Sequence, residues 1–386
     1  MSGDFDVDLI CEDAAREVGH DDFGSDSFRR SFDPLVYSAE HEADLNERGR
    51  AEMRSRIVAA LANRLTVVAW EKAHPGLVGQ PIVAPIVILG MPRTGSTILH
   101  ETLSTAPGMR SPMTWEVTDF ALAHDVDDPR SDPRVIDIDA AIALENERVP
   151  DYAAIHYSDA FVPMECVALT IIDLVSVQFP SMAHLPTYRE YLVSMDARET
   201  YQWHRRALVY FQSARKTSRW VLKAPAHSLY LRALEATYPD ARLVYTHRDP
   251  RKVIGSVCSL YETLRAPWSD TSDLAVRARS DLDYTATACV RATEYRAERP
   301  DLDQRIHDVS FTEFMRDQRG TLGQIDKALD LGLRPEAHTA MADYLENRPR
   351  EKYGKHRYSL DHFGIDDADV RDHFARYLGR YSDFLA

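Results

Sequence analysis

ILGMPRTGSTILH, residues 88–100, sets Gly90 and Gly95 at the G-x-x-x-x-G spacing of a phosphate-binding loop. The lysine that normally follows the second glycine is missing; Ser96 stands there. In a nucleoside triphosphatase that lysine bridges the β- and γ-phosphates, and no acid on a following strand replaces the metal-holding part of such a site. What is left is a nest of backbone N–H groups, the hydroxyls of Ser96 and Thr97, and a helix N-terminus. Those parts suit one phosphate. Arg93 inside the loop has the reach to touch whatever that phosphate carries. Read alone, the same residues also fit an ordinary strand-to-helix turn.

The flanks give the loop its setting. Ile86 to Leu89 is a short apolar, β-branched run bounded by Pro85 and Gly90, which reads as a buried strand. Ile98, Leu99 and Leu103 suit a helix packed on it. A second unit follows in RWVLKAPAHSLYLRALEATYPDARLVYTHRDPRKVIGSVCSLYETLR. There Trp220–Leu222 reads as a strand, His227–Tyr238 as a helix and Arg242–Thr246 as a strand. Asp249 and Pro250 then form a helix start, with the helix expected to run to Leu264. Strands alternating with helices predict an α/β fold with a parallel, P-loop-like β-sheet flanked by helices. Ligands in such sheets bind beyond the carboxyl ends of the strands, where the 90–97 loop, the 223–227 loop and Arg248 all fall. Arg248 closes a strand, and Ser256 lies about two helical turns on, roughly 9–10 Å along the axis. The pair can share a second phosphate. The plain alternatives are an ion pair for Arg248 and a packing role for Ser256.

The rest of the chain divides by composition. Residues 1–80 read as a helical N-terminal cap, and residues 81–386 as one α/β domain with a helical insertion at about 111–218. The apolar stretch Phe161–Phe179 contains Glu165 and Asp173, and an acid at a bilayer centre costs about 2.5–3.5 kcal/mol, so it reads as a buried helix rather than an integral membrane segment. The net charge of −15 argues against nucleic acid as a partner, so any anionic ligand must be held by local positive charge. Cys11, Cys166, Cys258 and Cys289 form no C-x-x-C pair, and the acidic N-terminus has no basic leader. Both features suit a cytoplasmic protein with reduced thiols.

PRTGST, LKAPAH and THRDPRKVIGS together resemble the sulfotransferase family that uses 3′-phosphoadenosine-5′-phosphosulfate. The likeness covers roughly residues 82–107 and 218–264 and, more weakly, 305–332 and 350–386. It is nearest the bacterial and tyrosylprotein-sulfotransferase-like branch, which has arginine in the loop. The resemblance implies that Pro92, Arg93, Thr94, Gly95, Ser96 and Thr97 hold the 5′-phosphosulfate, and that Arg248 and Ser256 hold the 3′-phosphate. It also accounts for the absent lysine. The loop would hold a single phosphate bearing a sulfuryl group, whose lower charge requires no metal.

By that resemblance an acceptor hydroxyl attacks sulfur and the 5′-phosphate leaves, so cations near the bridging oxygen matter most. Arg93 and Lys223 are the expected ones. The proton must go to a base within hydrogen-bond reach. Glu116 in SPMTWEV and His227 compete for that role, with Glu116 preferred and His156 and Glu165 as weaker candidates. In the basic stretch ENRPREKYGKHRYSLDHFG, Lys355, His356 and Arg357 are candidates to close over the nucleotide; a solvated charged turn is the other reading. The aromatic residues between 150 and 212 hint at a small lipophilic or aromatic acceptor. A small-molecule or nucleotide kinase and a non-catalytic nucleotide-binding protein are the rival functions. Magnesium-independent turnover separates the first, and binding without transfer the second.

Overall fold

The computed structural model describes residues 3–148, 158–270, 273–348 and 359–385. Lys355, His356, Arg357 and His156 lie outside the described residues. The chain groups into two compact units. One comprises residues 82–111, 217–260 and 274–386; the other comprises 1–81, 112–216 and 261–273.

The first unit holds the sheet. Its strands are β1 (Ile86–Gly90), β2 (Met109–Arg110), β3 (Arg219–Lys223), β4 (Arg242–His247) and β5 (Ile306–Ser310). All pair in parallel, in the order β2-β3-β1-β4-β5. β1 is buried along its whole length, as its unbroken apolar run requires of a central parallel strand. Ile88 stands opposite Lys223 on one side and Val244 on the other, and Gly90 stands opposite Thr246. This register brings the carboxyl ends of β3, β1 and β4 side by side. Ile86, Ile88, Val221 and Val244 from the sheet pack with Leu99 and Leu103 of the helix that follows β1. That core fixes the loop between strand and helix.

Two expected elements differ in detail. The helix expected over His227–Tyr238 is split into a 3-10 turn, Pro225–Ser228, and a helix, Leu231–Thr237. The Ser228 hydroxyl accepts the Gly90 N–H at 3.2 Å, tying that turn to the end of β1. β2 and β5 were not expected as strands.

The second unit is helical among the described residues. Its long helices are Val7–Val18, Ser27–His41, Glu47–Ala73, Pro133–Arg148 and Arg198–Ala214. Asp6 and Asn46 cap the first and third with side-chain oxygens on backbone N–H groups. The stretch Phe161–Phe179 is largely buried but is not one helix. Short turns at Val167–Thr170 and Ile171–Asp173 end at Leu174, whose φ is 52°. The break sets Asp173 against Arg64, Ser27 and Thr200. Tyr188, Tyr201, Trp203, Tyr210 and Phe211 are core residues of this unit, and so lend no support to a lipophilic acceptor. Among the described residues no helix is long and apolar enough to cross a membrane.

Candidate active site

The loop after β1 has its shape forced by backbone geometry. Gly90 has φ 130°, and a Cβ there would fall 2.5 Å from the Thr246 carbonyl, so the β1–β4 approach requires glycine. Arg93 at φ 66° and Gly95 at φ 79° are both left-handed. For Arg93, a non-glycine residue, that conformation costs on the order of 1–3 kcal/mol and persists only where its surroundings fix it. Thr94 supplies part of that fixing. Its hydroxyl donates to the Met91 carbonyl at 2.7 Å and lies 2.7 Å from the Thr246 hydroxyl. The Thr94 side chain is therefore committed to the protein. Helix Ser96–Ser104 begins directly after the loop, so its first N–H groups have no partner within their own helix.

Three cationic side chains meet this loop. Arg93 Nε donates to Ser256 Oγ at 3.2 Å, and Arg248 Nη1 donates to the Arg93 carbonyl at 2.8 Å. The Arg248 guanidinium also lies over the Phe311 ring, 4.1 Å from its centre, and Phe311 in turn packs beside Gly95. Lys223, at the end of β3, is 2 % exposed, and its Nζ donates to Thr97 Oγ1 at 3.3 Å. The two anion-binding constellations expected from sequence thus touch one another. Arg93 is the bridge between the loop and Ser256, and Pro92 leads into it. A chain of net charge −15 gathers Arg93, Lys223 and Arg248 around one turn of backbone.

His100 was not singled out from sequence. It is fully buried on the loop helix, with Nε2 2.8 Å from Ser111 Oγ and 3.2 Å from the Val221 carbonyl. Burial first, and then the Lys223 charge, bring its pKa down to about 3. A neutral imidazole behind Lys223 adds no competing charge. Phe311 was also missed; its only sequence signal is the alternating IHDVSF run that forms β5 and the start of the next helix.

The two candidate bases differ in setting. His227 is buried in the 3-10 turn after β3, within the sheet unit. Glu116 belongs to the helical unit, on the short helix Thr114–Thr118. Its carboxylate accepts the Met113 N–H at 2.9 Å, and Arg215 lies 3.8 Å away. Glu165 sits in the same unit and is half-buried.

Known proteins resemble this chain over most of its length. Residues 85–335 match the model of the Sulfotransferase family. The omega-hydroxy-beta-dihydromenaquinone-9 sulfotransferase Stf3 of Mycobacterium bovis is 24% identical over 328 residues, which are 81% of this chain and 79% of that protein. The crystal structure of sulfotransferase STF1 from Mycobacterium tuberculosis H37Rv has a TM-score of 0.82 at 30% identity, covering 96% of this chain and 98% of the other. That of sulfotransferase STF9 from Mycobacterium avium gives 0.85 at 27%, over 97% and 96%. The matched region contains the loop, Lys223, Arg248 and Ser256, and the chain belongs to the sulfotransferase family, whose enzymes transfer sulfuryl groups.

Proposed function

We propose that this chain moves a sulfuryl group from 3′-phosphoadenosine-5′-phosphosulfate to the hydroxyl of a small, lipophilic acceptor. The observation that carries the donor is the contact of Arg93 with Ser256 and of Arg248 with the Arg93 carbonyl. Two phosphate-binding groups so joined suit one adenylate bearing phosphate at both ends. The residues present fit it. The loop offers successive left-handed turns and a helix N-terminus, and Arg248 is held against Phe311 next to that loop.

The co-substrate supplies the sulfuryl group and leaves as adenosine 3′,5′-bisphosphate. The loop N–H groups of residues 93–97 and the Ser96 and Thr97 hydroxyls hold its 5′-phosphate. Arg248 and Ser256 hold the 3′-phosphate. Lys223 and Arg93 stabilise the negative charge that grows on the oxygen bridging phosphorus and sulfur as the S–O bond breaks. Lys223 is already ordered for this by Thr97, so little reorganisation accompanies the reaction. The acceptor oxygen forms the new S–O bond, and its proton passes to a base. Glu116 is assigned that role on chemical type and chain order, coming soon after β2, with His227 the alternative. Sulfuryl carries less charge than a terminal phosphoryl, so no metal is invoked. The lipophilic acceptor rests on the named substrate of the Stf3 relative, a hydroxylated menaquinone.

Thermal-shift measurement tests the donor. Adenosine 3′,5′-bisphosphate is expected to raise the melting temperature, while ATP with magnesium leaves it unchanged. Arg248→Ala is expected to abolish the rise, a loss of about ten- to a hundredfold in affinity for a charge-assisted contact. Equal stabilisation by ATP with magnesium would remove the assignment.

A further inference from the structure

The residue before Arg248 belongs to a buried polar chain that the proposed reaction does not use. His247 ends β4 and is fully buried. Its Nε2 lies 2.7 Å from Asp308 Oδ1 on the neighbouring strand β5. Its Nδ1 lies 2.9 Å from the Tyr377 hydroxyl on the C-terminal helix Ala375–Tyr381. Arg248 follows His247 directly, so the bonds that hold this ring also hold the strand end from which Arg248 leaves. Behind the histidine, Arg296 from helix Leu274–Glu298 grips Asp308 through both terminal nitrogens, each at 2.7 Å, and reaches Asp303 through Nε at 2.6 Å. Arg380 closes the far side on Asp303 at 2.7 Å.

The donors and acceptors in this chain have one consistent arrangement. Asp308 is ionised: hydrogen bonds from Arg296 and His247 outweigh its burial and hold its carboxyl down at about 2. It accepts, so His247 Nε2 carries the proton. His247 Nδ1 must then accept, so the Tyr377 O–H donates to it. Burial lowers the His247 pKa, which keeps the ring neutral as this arrangement needs. A buried network with every member satisfied is rigid, because each alternative leaves a polar group unpaired in low dielectric.

We propose that Tyr377, acting through this chain with His247 and Asp308, is a positioning residue that sets the backbone of Arg248 for capture of a 3′-phosphate. The proposal rests on the donor assigned above. The C-terminal helix thereby contributes to donor selection without touching the donor. Tyr377 holds the ring of His247, and the side chain of Arg248, one residue on, reaches the loop carbonyl. A slack backbone at 248 misplaces the guanidinium, while the 5′-phosphate loop keeps its own ties through Gly90 and Thr94.

Titration calorimetry on the full chain, with adenosine 3′,5′-bisphosphate and adenosine 5′-monophosphate as probes, tests this. Tyr377→Phe removes one oxygen. It is expected to weaken the bisphosphate about five- to tenfold and the monophosphate less than twofold. In an Arg248→Ala background the same substitution is expected to add nothing, since the two act through one contact. An unchanged bisphosphate preference in Tyr377→Phe overturns the positioning role, and so does an equal loss for both probes. A wild-type chain that does not prefer the bisphosphate overturns the donor assignment, and the positioning role falls with it. If Tyr377→Phe fails to fold by circular dichroism, His247→Gln is read by the same criteria, because it breaks the chain at its next link.

Discussion

In the helical unit, Arg64 is fully buried and every nitrogen of its guanidinium is used. Nε donates to the Phe23 carbonyl, Nη1 to Asp173 and the Ile172 carbonyl, and Nη2 to the Ser25 carbonyl and Ser27. Its face lies over Trp203 at 3.5 Å. In the sheet unit, Arg248 turns its guanidinium onto the glycine loop, with Phe311 beneath it. One arginine joins parts of its own unit, whereas the other, in the function proposed above, is placed to meet a ligand's charge. Charge count does not separate them. The first ties residues 23–27 and 172–173 to its own helix around a carboxylate, while the second leans on a loop with left-handed residues at 93 and 95. Burial brings the Arg64 pKa down to about 10 and pushes the Asp173 carboxyl up, so both charges are costly to hold and depend on their mutual bonds.

This contrast is broken most severely at Asp173. Asp173→Ala leaves Arg64 buried without its counter-charge and is expected to destabilise the protein by about 3–5 kcal/mol. Denaturant unfolding measures that loss. The folded remainder is expected to bind adenosine 3′,5′-bisphosphate normally; selective loss of binding would erase the distinction between the two arginines. Lys223→Ala sharpens the other side. Turnover is expected to fall about 10²- to 10³-fold, the range for removing one preorganised stabiliser of transition-state charge. Folded fraction and bisphosphate affinity are expected to change little, and steady-state kinetics with direct titration separates the effects. Unchanged turnover would strip Lys223 of its role. Run beside it, Glu116→Gln and His227→Asn identify the base as the one whose loss lowers turnover more.

Acid affects both units through buried imidazoles. His100 in the sheet unit and His204 in the helical unit are each held down to about 3 by burial, with the Lys223 charge adding to the effect on His100. An unfolded histidine titrates near 6.5. The unfolded chain therefore binds more protons between pH 6.5 and 3. Stability is full above about pH 6.5 and is lost as pH falls through that window. At pH 5 each group costs on the order of 2 kcal/mol. Melting scans at pH 7 and pH 5 should show the fall, and His100→Asn should recover part of it. An identical pH slope in His100→Asn would mean that His100 is not held neutral.

The parts of the fold legible in sequence are those dictated by local pattern. β1 is an apolar run between Pro85 and Gly90, β3 and β4 carry the apolar stretches Trp220–Leu222 and Leu243–Tyr245, and all three lie in the middle of the sheet, where both faces are buried. Among the described residues β5 is an edge strand pairing only with β4, and its interior residues His307 and Asp308 are polar, so its pattern is weak. β2 is two residues long and is read only through its partner β3. In Phe161–Phe179 the apolar content predicted burial, and burial is what the structure has. The helix failed there because Asp173 turns to meet Arg64, a partner far off in sequence. The site shows the same division. Gly90, Gly95, Ser96, Arg248 and Ser256 stand at fixed local spacings. That Arg93 bridges to Ser256 and that Tyr377 meets His247 depend on contacts across more than a hundred residues.

The left-handed turn at Arg93 has an evolutionary consequence. Glycine or asparagine would relax that backbone, but neither side chain reaches as far as Ser256. Drift toward an easier-folding loop therefore runs directly against retention of the long cation. Selection for stability alone, in a laboratory library scored by heat resistance, should shed this arginine early and leave a sturdier protein with an impaired catalyst.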